Sequence, residues 1–215
     1  MINHQTSFPI RNIGFFLKNC QRRSYKPKGA IINTGDCSNS LFYILSGSVA
    51  VIVEDSDGKE ITLTYLNPRD FVGEMGLFEE NPRSALIRAK TKCELGEISY
   101  TKFFFLSAKH PEFIFAIARQ ISMRLARTSR KACDLAFLDV GGRVASTLID
   151  LCHEPDAQIK TNGTYLRITC QEIARIAGCS REMVGKILKD LAANQFISLH
   201  GKTIVVLKII NKRYR

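Results

Sequence analysis

"TCQEIARIAGCSREMVGKILKDL", Thr169 to Leu191, reads as two short amphipathic helices joined by a tight turn. Thr169 and Glu172, three residues apart, make a capping box that satisfies backbone N–H groups left free by a first helical turn. The helix opened there carries Ile173, Ile176 and Ala177 on its apolar face. Gly178 permits the turn and Ser180 can cap a second helix, in which Val184, Ile187, Leu188 and Leu191 recur at i, i+3, i+4 and i+7. Arg181, Glu182, Gly185, Lys186 and Lys189 are left facing outward. Helix, glycine turn, and a second helix with a polar N-terminal face form a helix-turn-helix. A plain helical hairpin with a solvated face would account for any one of these features; their combination favours the DNA-reading motif.

The outward residues have the matching chemistry. Arg181 can fork onto guanine O6 and N7, Glu182 can accept from cytosine N4, and Lys186 can reach a base or a phosphate. Gly185 removes a side chain where such a helix presses closest. Next, "FISLHGKTIVVL" (Phe196–Leu207) alternates as two strands around His200, Gly201 and Lys202. That turn resembles the wing of a winged helix, with His200 and Lys202 placed for phosphate contact, although His200 also reads as a plain exposed turn residue.

Upstream, after Pro111, Ile114, Ile117, Ala118, Ile121 and Leu125 are spaced three and four apart. The spacing predicts a long helix over about 111–137, with a narrow apolar seam suited to pairing with a second copy. Thr128 and Ser129 stand at the next seam positions, as either a register device or a ligand contact. Apolar character returns in "LAFLDV", and Gly141 and Gly142 are expected to loosen the chain, placing a hinge between about Asp134 and Gly141.

Between about Tyr25 and Tyr100 the texture is short β segments: "AIIN", "LFYILSG", "SVAVIVED", "KEITLTYL", "SALIRAK" and "CELGEIS". Gly58 in "DSDGKE" suits the left-handed position of a hairpin turn. The whole predicts an α+β chain: an antiparallel β-sandwich or β-roll with its long helix over 1–137, then a winged helix-turn-helix domain over 138–215.

Composition narrows the function. Thirty-one Lys and Arg against twenty Asp and Glu give a net charge of +11, which points to a polyanionic partner. The signs nearly balance up to residue 118. Arg119, Arg124, Arg127, Arg130 and Lys131 then form an acid-free run, read first as a solvated helix face. Seven scattered cysteines without a C-x-x-C pair fit a reducing compartment rather than a zinc or iron–sulfur site, so no metal is expected. No apolar run approaches the roughly 20 residues that span a bilayer, and the first residues lack a signal peptide's apolar stretch, which predicts a cytoplasmic protein free of the membrane. No activated nucleophile or His/Asp metal cluster appears, and the chain leaves no room for a separate catalytic domain.

"GEMGLFEENPRSA" (Gly73–Ala85) crowds glycine, carboxylate and guanidinium together. Backbone N–H groups near Gly73 and a short helical turn at "EMGLF" can cradle a phosphate, with Arg83 supplying the opposite charge. Glu74 would repel a phosphate but suits a ribose hydroxyl. The stretch therefore asks for ribose and phosphate side by side; the simpler alternative is a Glu74–Arg83 ion pair.

"GEMGLFEENPRSA", "AFLDV", "CSREMVGKILK" and "HGKTIVV" together resemble the bacterial cyclic AMP receptor family, within the larger group it shares with the fumarate–nitrate regulators, over about residues 12–207. The resemblance implies that Gly73, Glu74, Arg83 and Ser84 hold the cyclic phosphate and ribose of cyclic AMP. It implies that Thr128 of one subunit and Ser129 of the other meet the adenine, with Leu63, Thr64 and Arg124 as neighbours of the nucleotide. It further implies that a homodimer binds an inverted repeat of the TGTGA/TCACA kind in double-stranded DNA. Arg181, Glu182 and Lys186 would read bases, while Thr169, Cys170, Ser180, His200 and Lys202 support the DNA contact. RNA polymerase would be met through the loop at "DAQIKTNGTY". The chain departs from the family pattern in a segment before Arg83 one residue short and ending in Pro82, in Cys170 where an arginine is common, in Lys186 in place of an arginine, and at Ile159 and Lys160 of the polymerase loop, which keeps Gly163.

Overall fold

The computed structural model describes residues 12–78 and 82–207. The tail "KIINKRYR", the first eleven residues and the three before Pro82 lie outside them. Residues up to Arg127 and those from Thr128 form two compact units, and the division lies inside a long helix.

In the first unit α1 (Ile13–Lys18) precedes eight strands: β1 (Gln21–Tyr25), β2 (Ala30–Ile32), β3 (Ser40–Ser46), β4 (Val49–Glu54), β5 (Glu60–Leu66), β6 (Phe71–Val72), β7 (Leu86–Ala89) and β8 (Cys93–Ser99). They pair antiparallel in two sheets, ordered β1-β8-β3-β6 and β2-β7-β4-β5. Strand β3 is covered on both faces, because successive side chains point opposite ways. Leu41 and Tyr43 join Phe16, Phe71, Phe103 and Phe113 in one core cluster; Phe42 and Ile44 join Val49, Leu66 and Ile87 in another, drawn from both sheets. The β4–β5 turn has the predicted form: Gly58 takes φ +76°, and Asp55 Oδ1 accepts from the backbone N–H groups of Asp57 and Lys59.

Helix α2 (Tyr100–Lys109), capped by Ser99, leads into α3 (Glu112–Phe137). Phe113 and Ile117 of α3 are fully buried in the first cluster. Further along the seam Ile121 is 37% and Leu125 65% exposed, and Thr128 and Ser129 are exposed. The apolar stripe thus starts in the β-domain core and continues uncovered.

The second unit holds the end of α3 and then α4 (Val140–Leu151), β9 (Gln158–Lys160), β10 (Gly163–Arg167), α5 (Cys170–Ala177), α6 (Arg181–Ala193), β11 (Ile197–His200) and β12 (Thr203–Val206). Its sheet runs β11-β12-β10-β9. Val144, Leu148, Ile173, Val184 and Ile197 are buried. One expectation needs correcting: Gly141 and Gly142 do not loosen a linker. The helical run breaks at Leu138 and Asp139, and the glycines form the first turn of α4, where the Asp139 carboxylate accepts from Gly142 N at 2.7 Å. A capping carboxylate supplies what the glycines lack in helix propensity. No helix among the described residues is long and apolar enough to cross a membrane.

Candidate nucleotide cavity and nucleic-acid interface

Strand β6 delivers the chain to Gly73, which takes φ +83°; a Cβ there would stand 2.5 Å from Arg83 Nη1. Both the backbone angle and the space demand glycine. Glu74 follows and leads into a single 3-10 turn, Met75–Leu77, the short helical turn expected over "EMGLF".

Arg83 reaches the same place from the other end of the motif. Its backbone is fixed by Asp36 O, which accepts from Arg83 N at 2.9 Å, and by Gly35 N, which donates to Arg83 O at 2.9 Å. The side chain is buried, at 8% exposure. Nη1 donates to Gly73 O at 3.1 Å and to the Tyr100 hydroxyl at 2.8 Å; Nη2 donates to Ser40 O at 2.5 Å and to Ser40 Oγ at 3.3 Å. Every one of these acceptors is neutral. The Tyr100 hydroxyl spends its own proton on Gly73 O at 2.6 Å.

Glu74, 5% exposed, pairs with Arg124 Nη1 from α3. Glu74 and Arg83 do not pair with each other, so the simpler alternative falls. One sequence reading is corrected: the basic run of α3 is not wholly a solvated face, since Arg124 turns inward. Arg124 Nη2 also donates to Phe71 O, while its buried Nε has no partner among the described residues. Burial raises the Asp70 carboxyl above its ordinary value, against the hydrogen bond from Asn67 N and the charges of Arg124 and Arg127.

Gly73, Glu74, Arg83, Ser84 and Arg124 line one cavity, walled on its apolar side by residues such as Ile32, Val51 and Leu66. Of the other predicted residues, Leu63 is 42% exposed on β5 and Thr64 Oγ1 donates to Tyr65 O; neither lines this cavity. Thr128 and Ser129 belong to the second unit. Sequence reasoning missed Ser38, Met75 and Tyr100. Ser38 and Met75 line the cavity, and Ser84 Oγ lies 3.6 Å from Met75 Sδ; Ser38 Oγ is 2.8 Å from the Tyr100 hydroxyl. Ser38 and Tyr100 lie far from the motif in the chain, so no local pattern marks them.

In the second unit the capping box is complete: Glu172 N donates to Thr169 Oγ1 at 3.2 Å, and Thr169 N donates to Glu172 Oε2 at 2.9 Å. Gly178 closes α5 in the left-handed conformation, φ +66° and ψ +50°, and Ser180 caps α6 by accepting from Met183 N at 3.2 Å. Val184, Leu188 and Leu191 are buried, and Arg181, Glu182 and Lys186 are exposed, as the periodicity predicts. The Glu182 carboxyl sits below its ordinary value, held by its own backbone N–H and by the Ser180 hydroxyl. Thr169, Cys170, Arg181 and Lys202 border one groove between the start of α5, the face of α6 and the β11–β12 turn. Lys189, two turns after Arg181 with Gly185 between them, borders it too; the sequence marks it as outward-facing but assigns it no contact. His200 Nε2 lies 3.2 Å from Ser198 Oγ.

Residues 22–110 match the family model of the cyclic nucleotide-binding domain, and residues 142–209 that of the Crp-like helix-turn-helix domain. The chain is 49% identical over 201 residues to the cAMP-activated global transcriptional regulator Vfr of Pseudomonas aeruginosa, covering 92% of this chain and 94% of that protein. The chain belongs to the CRP family of DNA-binding transcriptional regulators. The regulator CRP of Salmonella typhimurium is 50% identical over 193 residues, or 89% of this chain and 92% of its own. Among solved structures, the c-di-GMP responsive global regulator CLP of Xanthomonas campestris superposes with a TM-score of 0.85 at 44% identity, covering 92% of this chain and 98% of that one. The expected fold class and family are thus borne out, and the named CRP-family relatives are regulators rather than enzymes.

Proposed function

We propose that this CRP-family protein is a cytoplasmic, cyclic AMP-dependent regulator that binds an inverted-repeat operator as a homodimer. The observation that carries the ligand reading is the state of Arg83: a buried guanidinium held by four hydrogen bonds to neutral acceptors, in the same cavity as a carboxylate that is paired elsewhere. A buried cation surrounded by neutral dipoles is prepared for an incoming anion. In a cyclic 3′,5′-nucleotide the phosphate and the ribose 2′-hydroxyl are neighbours. Arg83 and Ser84 take the phosphate, Gly73 lets the backbone approach it, and Glu74 accepts from the hydroxyl. Arg124 stays beside Glu74, and Leu63 and Thr64 border the nucleotide from β5.

The adenine meets Thr128 of one subunit and Ser129 of the other across the uncovered stripe of α3, so that the ligand joins the two helices. Its differential affinity for two arrangements of the dimer shifts the equilibrium between them. In the favoured arrangement the two α6 helices stand roughly 34 Å apart and enter successive major grooves. Arg181, Glu182 and Lys186 read base edges there. Thr169, Cys170, Ser180, His200 and Lys202 fix the position against the backbone. RNA polymerase meets the β9–β10 hairpin, whose strand β9 presents Ile159 at 80% exposure and Lys160 over the Tyr165 ring.

Arg83→Leu tests the ligand assignment. Calorimetry is expected to lose the heat of cyclic AMP binding, and operator binding is expected to lose its dependence on the nucleotide; unchanged binding overturns the assignment. The likeness to the Xanthomonas regulator favours a second reading, a response to cyclic di-GMP. Titrating cyclic AMP, cyclic GMP and cyclic di-GMP in parallel separates the two, and heat from the latter two alone replaces the first reading.

A further inference from the structure

Strand β6 is only two residues long and lies at the edge of its sheet, next to β3. An edge strand has backbone groups with no neighbouring strand to meet them. Here a side chain meets them. Phe71 N donates to Gln120 Oε1 at 2.7 Å, and Gln120 Nε2 donates to Phe71 O at 2.7 Å. The carboxamide of Gln120, on α3, pairs with both backbone groups of Phe71 as a neighbouring strand residue would. The amide presents donor and acceptor together without needing a proton from solution, and asparagine is one methylene too short.

Phe71 is two residues before Gly73 and three before Glu74. Four residues beyond Gln120 on α3, Arg124 reaches the same carbonyl, Phe71 O, and also Glu74. Positions i and i+4 share a helix face, so α3 grips the entry to the ligand cavity at two points. The two grips differ. Arg124 touches the carboxylate that a ribose would engage, so its contacts change with occupancy. Gln120 touches only backbone and does not line the cavity.

We infer that Gln120 is a positioning residue that ties the nucleotide cassette to the long helix and carries ligand occupancy from one to the other. This rests on the cyclic AMP reading above. Without the tie the cassette still has Arg83, Ser84 and Glu74 for its ligand, but β6 is held to α3 by Arg124 alone, whose contacts change with occupancy. Affinity for the nucleotide and coupling to DNA therefore separate in a Gln120 variant.

The test uses the full-length protein, Gln120→Met, which keeps the length and the apolar stem, and Gln120→Asn, which keeps the amide but shortens its reach. Three quantities are measured: the cyclic AMP dissociation constant by calorimetry, the melting temperature, and the ratio of operator affinities with and without cyclic AMP at fixed salt. Both variants are expected to bind the nucleotide within about threefold of wild type, while the operator ratio falls at least about fivefold, a loss within the usual range of allosteric coupling. A lowered melting temperature with the ratio intact marks a merely structural residue and overturns the inference. If wild type responds to cyclic AMP and both variants respond equally, the inference alone fails; if wild type does not respond, the reading it rests on fails with it.

Discussion

Glu74 is paired with Arg124 and not with Arg83, although all three line one cavity. On the proposed reading, the carboxylate offered to a sugar is already neutralised from the long helix, and the guanidinium offered to a phosphate is held by neutral groups. The two halves of a nucleotide would then meet partners prepared in different ways.

The pair also has a stability consequence. Both side chains are largely buried. Arg124→Met strands a buried carboxylate and is expected to cost about 3 kcal/mol. Adding Glu74→Gln removes the stranded charge, so the double variant is expected to be more stable than Arg124→Met alone. Denaturant unfolding of wild type, the single variants and the double variant measures this; a double variant weaker than Arg124→Met contradicts it.

Asp70 makes stability depend on pH in a definite direction. Its carboxyl is raised above the ordinary 3.8 by burial, so the native state holds the proton more tightly than the unfolded chain does. The resulting stabilisation is full below the ordinary value and is lost as pH rises through the raised one. Asp70→Asn removes the titration, so wild type should lose ground against this variant as pH rises from about 4 toward neutrality. Melting temperatures of the two proteins across that range check the sign, and wild type gaining ground would contradict it.

The cysteines divide by environment. Burial pushes the Cys20 thiol up to about 12 and the Cys152 thiol up to about 11, whereas Cys37 and Cys133 are exposed. The thiolate is the reactive form. A thiol reagent at pH 7.5 should label Cys37 and Cys133 first and leave Cys20 and Cys152 unlabelled in the folded protein; mass spectrometry of digests identifies the order, and early labelling of Cys20 contradicts it.

The second unit offers a cap and a proposed reading residue for comparison. Ser180→Ala removes the acceptor for Met183 N and should cost about 1 kcal/mol of domain stability. Arg181→Ala leaves the caps intact and should instead weaken operator binding by about 1–3 kcal/mol while relaxing preference at one base position. Anisotropy with single-base operator variants distinguishes the effects, and equal loss on all sequences would make Arg181 a phosphate contact.

Much of this was legible in the sequence where the signal is local. The capping box at Thr169, the turn at Gly178 and the burial of Val184 and Leu188 all follow from spacing within one or two helical turns. The hairpin at Gly58 is equally local. Other features depend on partners distant in the chain. β1, "QRRSY", is exposed along nearly its whole length and shows no alternation; it is a strand because β8 pairs with it. β6 is two residues long, too short to show a period. Gly141 and Gly142 look like a loose joint until Asp139 is seen capping them. Arg124 was named as a neighbour of the nucleotide only through family resemblance, because its partner, Glu74, lies fifty residues away. Gln120 and Tyr100 gave no signal, since each acts on backbone that only the fold brings near.

Fluorescence anisotropy of a labelled inverted-repeat operator, titrated at one stated salt concentration with and without saturating cyclic AMP, tests the central claim most directly. The account predicts tighter binding with the nucleotide by about 5- to 150-fold, with the difference abolished in Arg83→Leu. Equal affinity in the two titrations of the wild-type protein would contradict it.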